Sequence, residues 1–372
     1  HYPLRRQRQM CIRDSMKPAP QPSPRRVAVV GAGLAGATCA QALAAAGCEV
    51  QVLDKARGPG GRLATRRLGW TGPDGQPRTA RVDHGAPGFA AADAGFLAFL
   101  QGLGGGAAVA AWTPQAAPGS RAVRPAGDWQ LPVPDMPTLC CGLLGGLPAR
   151  WSFAVQRLAR EGGAWRIEGV SEAGPELLEG GFDAVVLALP PAQAAPLLAP
   201  HRPDWALHAA QAPMQPCWTL MGVTGRPPQP MAWQVLRPEG GPLSWLHRDD
   251  LRPGRRAAAD EAHWVAHARG AWSREHLEQP PEWVLPRLQA AVDEALVGLL
   301  GEPPAWRHAV VHRWRYALPQ PAGTPARRQA WWDARCGLGA CGDFLGGVGA
   351  EGAWLSAQAL LCLLYTSPSP RD

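Results

Sequence analysis

Val27–Val30 (VAVV), then Gly31-Ala32-Gly33-Leu34-Ala35-Gly36, then Glu49–Leu53 (EVQVL) closed by Asp54: this order decides the fold. The β-branched run VAVV reads as a buried parallel strand. Leu34, Cys39, Leu43 and Ala46 recur at helical spacing, and Gly47 ends that helix. Gly31 allows the tight turn, Gly33 lets a diphosphate approach bare backbone, and Gly36 lets helix and strand pack closely. The N–H groups of Leu34 and Ala35 then open a helix whose N-terminus favours an anion. Asp54 stands eighteen residues after Gly36, where a carboxylate can accept hydrogen bonds from a ribose diol. A glycine-rich helix cap in an ordinary α/β protein shares the glycines but not the whole order of elements.

Working outward, Lys55–Arg67 reads KARGPGGRLATRR. The glycine pair and arginine, Gly60-Gly61-Arg62, resemble the second phosphate contact of glutathione-reductase-type FAD proteins; a surface basic loop is the plainer alternative. Glycines give backbone N–H access and arginine gives charge-assisted bonds to phosphate. A second glycine run, Gly337-Leu338-Gly339-Ala340-Cys341-Gly342, also fits the spacing. No strong β-branched strand precedes it and no helix is expected at its third glycine. It is read as a glycine-rich strand, so the chain carries one dinucleotide fingerprint.

Gly339–Asp343 (GACGD), a glycine-rich turn and an expected helix Glu351–Leu361 resemble the closing motif of the flavin amine oxidase superfamily. Within that superfamily the chain is similar to bacterial renalase-like proteins, on Val27–Arg67, Asp83-His84-Gly85-Ala86, Asp183–Pro190, His312–Ala317 and Leu338–Leu361. With their spacing these cover Arg25–Leu361. Two departures stand out: Pro87 and Gly88 replace a glutamine and an aromatic, and Asp135 replaces a glycine in Pro134-Asp135-Met136.

The resemblance implies an α/β fold: a Rossmann-type FAD-binding domain, like glutathione reductase and p-hydroxybenzoate hydroxylase, with an inserted mixed-sheet plus helix substrate domain. It implies FAD held non-covalently by Gly31, Gly33, Leu34, Ala35, Gly36, Asp54, Lys55, Gly60, Gly61, Arg62, Gly85, Ala86, Val155, Gly342, Asp343, Gly352, Ala353 and Trp354. Asp343 would bond to the ribityl–phosphate chain. The N–H groups near Gly352, Ala353 and Trp354 would face the flavin with the positive end of their helix. It further implies oxidation of NAD(P)H isomers carrying hydride at position 2 or 6, release of NAD(P)+, and reoxidation of flavin by O2 to hydrogen peroxide.

The FAD domain is expected to be discontinuous, in pieces 25–85, 137–191 and 332–361, with 86–136 and 192–331 forming the substrate domain. Strands are expected near Trp151–Leu158, Ala184–Leu189, Ala212–Val223 and Trp233–Leu246. Glu282–Leu300 is an expected amphipathic helix with Val284, Leu288, Ala291, Ala295 and Leu299 on one face. His1–Ser15 and Cys362–Asp372 match no element and resemble translated sequencing-adapter sequence. Both are expected to be non-native tails, with Met16 the start, residues 16–24 a disordered leader and the true C-terminus lost after Leu361.

Candidate pocket residues are His84, His312, Trp314 and Tyr316. The last three share one face of a strand, while Arg313 and Arg315 share the other. Core packing remains the competing role for His84, His312 and Trp314. His247, His263 and His267 lack metal-ligand spacing, so no metal is expected. The nine cysteines include no C-x-x-C pair, which fits reduced thiols in the cytoplasm. The net charge is +7, of which the first fifteen residues hold +3 and the last eleven 0, leaving about +4. That modest, scattered charge points to no nucleic acid, and no apolar run reaches the roughly 20 residues of a membrane helix. The resemblance implies as partners a small-molecule substrate, the reduced nicotinamide dinucleotide isomer, and O2. An amine oxidase or desaturase of a small apolar substrate, and a flavin-binding module without turnover, are the alternatives.

Overall fold

The computed structural model of the chain describes residues 26–103, 108–123, 128–228, 230–320 and 329–366. The expected tail 1–15, the leader 16–24 and positions 367–372 lie outside the described residues.

Arg26–Val30 forms the centre of a six-stranded sheet. It pairs in parallel with Glu49–Leu53 (Val27 opposite Val50) and with Ala184–Leu187 (Val27 opposite Ala184). Leu338–Ala340 continues the parallel set, Trp331–Asp333 closes that edge antiparallel, and Ala149–Arg150 closes the other. Alternation sends Val27 and Val29 to one face and Ala28 and Val30 to the other. On the first face they pack with helices Leu34–Ala45, Thr138–Leu144 and Gly349–Thr366. On the second they meet the three-stranded sheet Ala154–Glu161, Ala164–Ser171, Gly174–Leu177 and helices Pro191–Leu198 and Pro203–Gln211. Covering on both faces is why VAVV and AVVL are continuously apolar. Each such valine contributes roughly 1.5–3 kcal/mol by burial.

A second sheet is antiparallel, in the order Val235–Leu236, Leu243–Arg248, Glu261–Ala268, Met214–Gly225, Trp306–Pro319. The expected strand Trp233–Leu246 is two strands, because Pro238 and the Gly240-Gly241 pair turn the chain between them. Helix Pro281–Leu300 covers one face. Its fully buried stripe is Val284, Leu288, Val292 and Leu296, while Ala291, Ala295 and Leu299 flank it half-buried. The stripe follows i, i+4 spacing and takes the larger side chains into the core.

The hairpin Thr65–Thr71/Pro77–Asp83 lies on the other face, with Leu68, Ala80 and Val82 packed against Met221, Val223 and Val265. The last helix runs past Leu361 to Thr366, contrary to the expectation that Cys362–Asp372 matches no element. Leu364 is buried in the core, and the Tyr365 hydroxyl donates to the Ala42 carbonyl at 3.3 Å. No helix among the described residues is long and apolar enough to cross a membrane.

Candidate functional site

Gly31 has φ +106°, and a Cβ there would collide with the Ala188 carbonyl. A Cβ on Gly36 would collide with the Gly31 carbonyl. Both positions exclude larger residues because strand, turn and helix touch backbone to backbone. Gly33 caps the helix Leu34–Ala45 with no side-chain hydrogen bond, and the first turn holds no acid. That leaves the helix N-terminus open to an anion. Gly60 bridges to Gly33 and its N–H donates to the Ala32 carbonyl at 2.9 Å. A Cβ on Gly61 would lie 3.1 Å from the Gly33 Cα. The two glycine segments, separate in sequence, thus form one bare cradle.

Asp54 closes one end of it. One carboxylate oxygen accepts the Ala32 N–H at 2.6 Å and the other accepts the Ala56 N–H at 2.7 Å. Each oxygen keeps a lone pair for a diol. Lys55 is exposed beside it. The Phe153 N–H donates to the Asp54 carbonyl at 2.9 Å, which brings the start of strand Ala154–Glu161, with half-buried Val155, alongside.

Arg62 reaches the other end. Its guanidinium makes two parallel bonds to Asp343, 2.6 and 2.7 Å, and a third to the Ala317 carbonyl at 3.2 Å. The Asp343 side chain is buried and that of Arg62 is about 31% exposed, so the arginine retains a solvent-facing edge. Asp343 opens a single helical turn, Asp343–Gly346, after Gly342. The expectation that no helix follows the third glycine of the second run is corrected to that extent; Leu338–Ala340 is a strand as expected. The Gly342 N–H donates to the Ser356 hydroxyl at 2.9 Å. A Cβ on Gly352 would collide with the Gly347 carbonyl, which lays the turn directly on the final helix. Ala353 is buried there. The Trp354 ring sits 5.5 Å from both Phe96 and Phe99, packed against a neighbouring helix.

Gly85 meets the same place, since a Cβ on it would collide with the Arg62 carbonyl and the Ala86 N–H donates to that carbonyl at 2.9 Å. His84 follows, with its ring 4.9 Å from His312 and 5.1 Å from Trp314. His312 and Trp314 are 4.5 Å apart, and the Trp314 indole N–H donates to the His84 carbonyl at 3.1 Å. His267, missed by sequence reasoning, also bonds to the His84 backbone. Burial pushes the imidazoles of His84 and His267 down to about 3 and that of His312 to about 4, with neighbouring cations and imidazoles acting the same way. The cluster is neutral at pH 7. Tyr316 continues the face, half-buried. Arg313 and Arg315 leave on the other side and pair with Glu278.

Beneath His84 lies a charge network. Asp83 binds Arg252 at 3.0 Å and also Arg255, and Arg252 binds Asp249 at 2.8 Å. All four side chains are at most 8% exposed. The departures are accommodated nearby. Gly88 has φ +141°, and a Cβ there would sit 2.8 Å from the Trp129 ring and 2.9 Å from Leu131. Asp135 accepts the Thr138 hydroxyl at 2.7 Å and pairs with Arg81, a role glycine has no side chain for.

Residues 29–103 match the family described as NAD(P)-binding Rossmann-like domain. Across the whole chain the fold is similar to the crystal structure of a candidate protoporphyrinogen oxidase from Exiguobacterium sp. 255-15, at 16% identity and a TM-score of 0.66, covering 92% of this chain and 98% of that one. The chain therefore has a Rossmann-like dinucleotide-binding unit within an α/β architecture shared along nearly its full length with that protein.

Proposed function

We propose that this chain is an FAD-dependent oxidoreductase of the renalase-like kind. On this reading it takes hydride from NAD(P)H isomers reduced at position 2 or 6, releases NAD(P)+ and uses O2 as the final acceptor. The observation that carries it is the meeting of Gly33, Gly60-Gly61, Arg62, Gly85 and Asp343 around one cradle, beside a neutral imidazole–indole cluster. A bare glycine backbone, an uncapped helix and a solvent-facing arginine fit a diphosphate. A buried carboxylate beside them fits the hydroxyls of a ribityl chain. When bound, flavin supplies a two-electron acceptor for hydride and returns the electrons to O2 as hydrogen peroxide.

The chain's own residues do the rest. The Gly33–Gly36 turn and Arg62 bind and orient the diphosphate. Asp54 accepts the ribose diol. His84, His312 and Trp314 exclude water from the reacting face and present no acid there, as their neutrality requires. A dihydropyridine needs none: loss of hydride leaves an aromatic pyridinium. The second glycine run forms a strand, so a nicotinamide visits as substrate. Eight described cysteines are free, which fits the reducing cytoplasm.

The test is anaerobic mixing of the flavin-loaded protein with isomer-rich reduced NAD. Bleaching of the visible flavin band supports the reading. An unbleached flavin overturns it and leaves a binding module. A second reading draws on the full-length fold likeness to a candidate protoporphyrinogen oxidase. It has the same scaffold oxidising an amine or a saturated carbon centre, and bleaching by such a donor alone would select it.

A further inference from the structure

We propose that Arg66 recognises an anionic group of the substrate, a phosphate, at the rim of the His84–His312–Trp314 cluster. The inference rests on the dinucleotide reading above and names how that site selects its substrate. The hairpin lays its inner face along strand Trp306–Pro319 step by step. Trp70 stacks on His308 at 6.1 Å, and Leu68 with Val310 belongs to the next layer. Two residues further along each strand stand Arg66 and His312, and His312 touches His84. Alternation therefore puts Arg66 on the same face as the cluster and beside it.

Its side chain is exposed, and no carboxylate among the described residues pairs with it. Arg67 beside it is also exposed and unpaired among the described residues but lies on the opposite face of the strand, whereas the other arginines around the cluster are paired. Arg307 is neutralised by Asp260 at 2.7 Å, Arg313 and Arg315 by Glu278, and Arg78 by Asp74, Asp260 and Glu261. The groups that feel Arg66 are His84, His308 and His312: His308 and His312 are held neutral by burial and then by this cation, His84 by burial, then by His312, then by this cation. The protein thus keeps a guanidinium uncompensated on the cluster's own face, beside uncharged rings. A planar fork of N–H donors there matches the oxygens of a phosphate and holds the dinucleotide while its nicotinamide enters the cluster.

The experiment compares flavin-loaded wild type, Arg66→Gln and Arg66→Lys in anaerobic flavin reduction. One donor is the reduced NAD isomer; the other is the same dihydronicotinamide as its riboside, which has no phosphate. Arg66→Gln is expected to raise the half-saturating dinucleotide concentration roughly 10- to 100-fold, the scale of one charge-assisted bond. The limiting rate and the riboside behaviour should stay unchanged, and Arg66→Lys should recover part of the loss. Equal dinucleotide saturation in wild type and Arg66→Gln, with flavin still bleached, overturns the inference and leaves the reaction intact. If no reduced nicotinamide bleaches the wild type, the reaction fails. Calorimetry with inorganic pyrophosphate then decides the anion site: binding lost in Arg66→Gln upholds it, and binding that is absent or unchanged removes it.

Discussion

Acid should destabilise this protein before its carboxylates titrate, and the histidine cluster sets the scale. His84 and His267 are buried, and their imidazoles are pushed down to about 3, against an ordinary value of 6.5. The unfolded chain therefore binds protons that the folded chain refuses. Stability is fully present above pH 6.5 and falls as the pH drops from there toward 3, the reverse of a histidine that gains an acidic partner. At pH 5 the gap is about 1.5 units, or roughly 2 kcal/mol for each imidazole at 1.36 kcal/mol per unit. The two together remove about 4 kcal/mol, a large share of the 5–15 kcal/mol a typical domain holds. His247, buried and also held low by burial, adds in the same direction, as does half-buried His312 to a lesser degree. Urea unfolding followed by tryptophan fluorescence at pH 7, 6 and 5 measures this. Stability should fall about 4 kcal/mol or more across that range, steepening toward pH 5, and His84→Gln should flatten the fall by up to about 1.4 kcal/mol per unit. A flat profile between pH 7 and 5 would refute the reasoning, because the carboxylates that charge partners hold low do not titrate in that window.

Gly36→Ala should push the helix Leu34–Ala45 off its strand and destabilise by about 1–3 kcal/mol, with loss of bound flavin read as the visible-to-ultraviolet absorbance ratio of the purified protein. Arg62→Gln and Asp343→Asn should each weaken FAD binding roughly 10- to 100-fold, and the double variant should lose less than the product because the two groups touch; independent losses in a reconstitution titration would break that account. Arg252→Leu removes one of the two buried guanidiniums that Asp83 and Asp249 share and leaves Arg255 alone between them, so unfolding free energy should drop by about 3 kcal/mol. Arg315→Ala, which removes an exposed partner of Glu278, should leave the urea midpoint where it was.

What could be read from the chain in advance divides along physical lines. The turn at Gly31–Gly36 is legible because two of its constraints come from the strand–turn–helix order itself: Gly36 answers to the Gly31 carbonyl and Gly31 to backbone at the end of the adjacent strand, while Gly33 faces Gly60-Gly61. The same holds for Leu338–Ala340, a three-residue strand that only Gly339 leaves room for, between Trp332 and Leu360. The hairpin Thr65–Asp83 shows the opposite case. Its strands mix Arg66, Leu68 and Trp70 on one face with Arg67 and Gly69 on the other, and the weak pattern gives no hint that Met221, Val223 and Val265 are waiting to cover it. Asp83 reads as a motif acid until Arg252, 169 positions away, arrives beneath it. Arg66 and Arg67 are adjacent and chemically identical in the sequence. Only the pleat separates them, sending one toward the imidazoles and the other away from them. On the proposed reading, half of such a site is written in a glycine fingerprint that would hold the cofactor. The other half is written in the register in which the hairpin packs on strand Trp306–Pro319, and on that reading it decides what approaches the cluster.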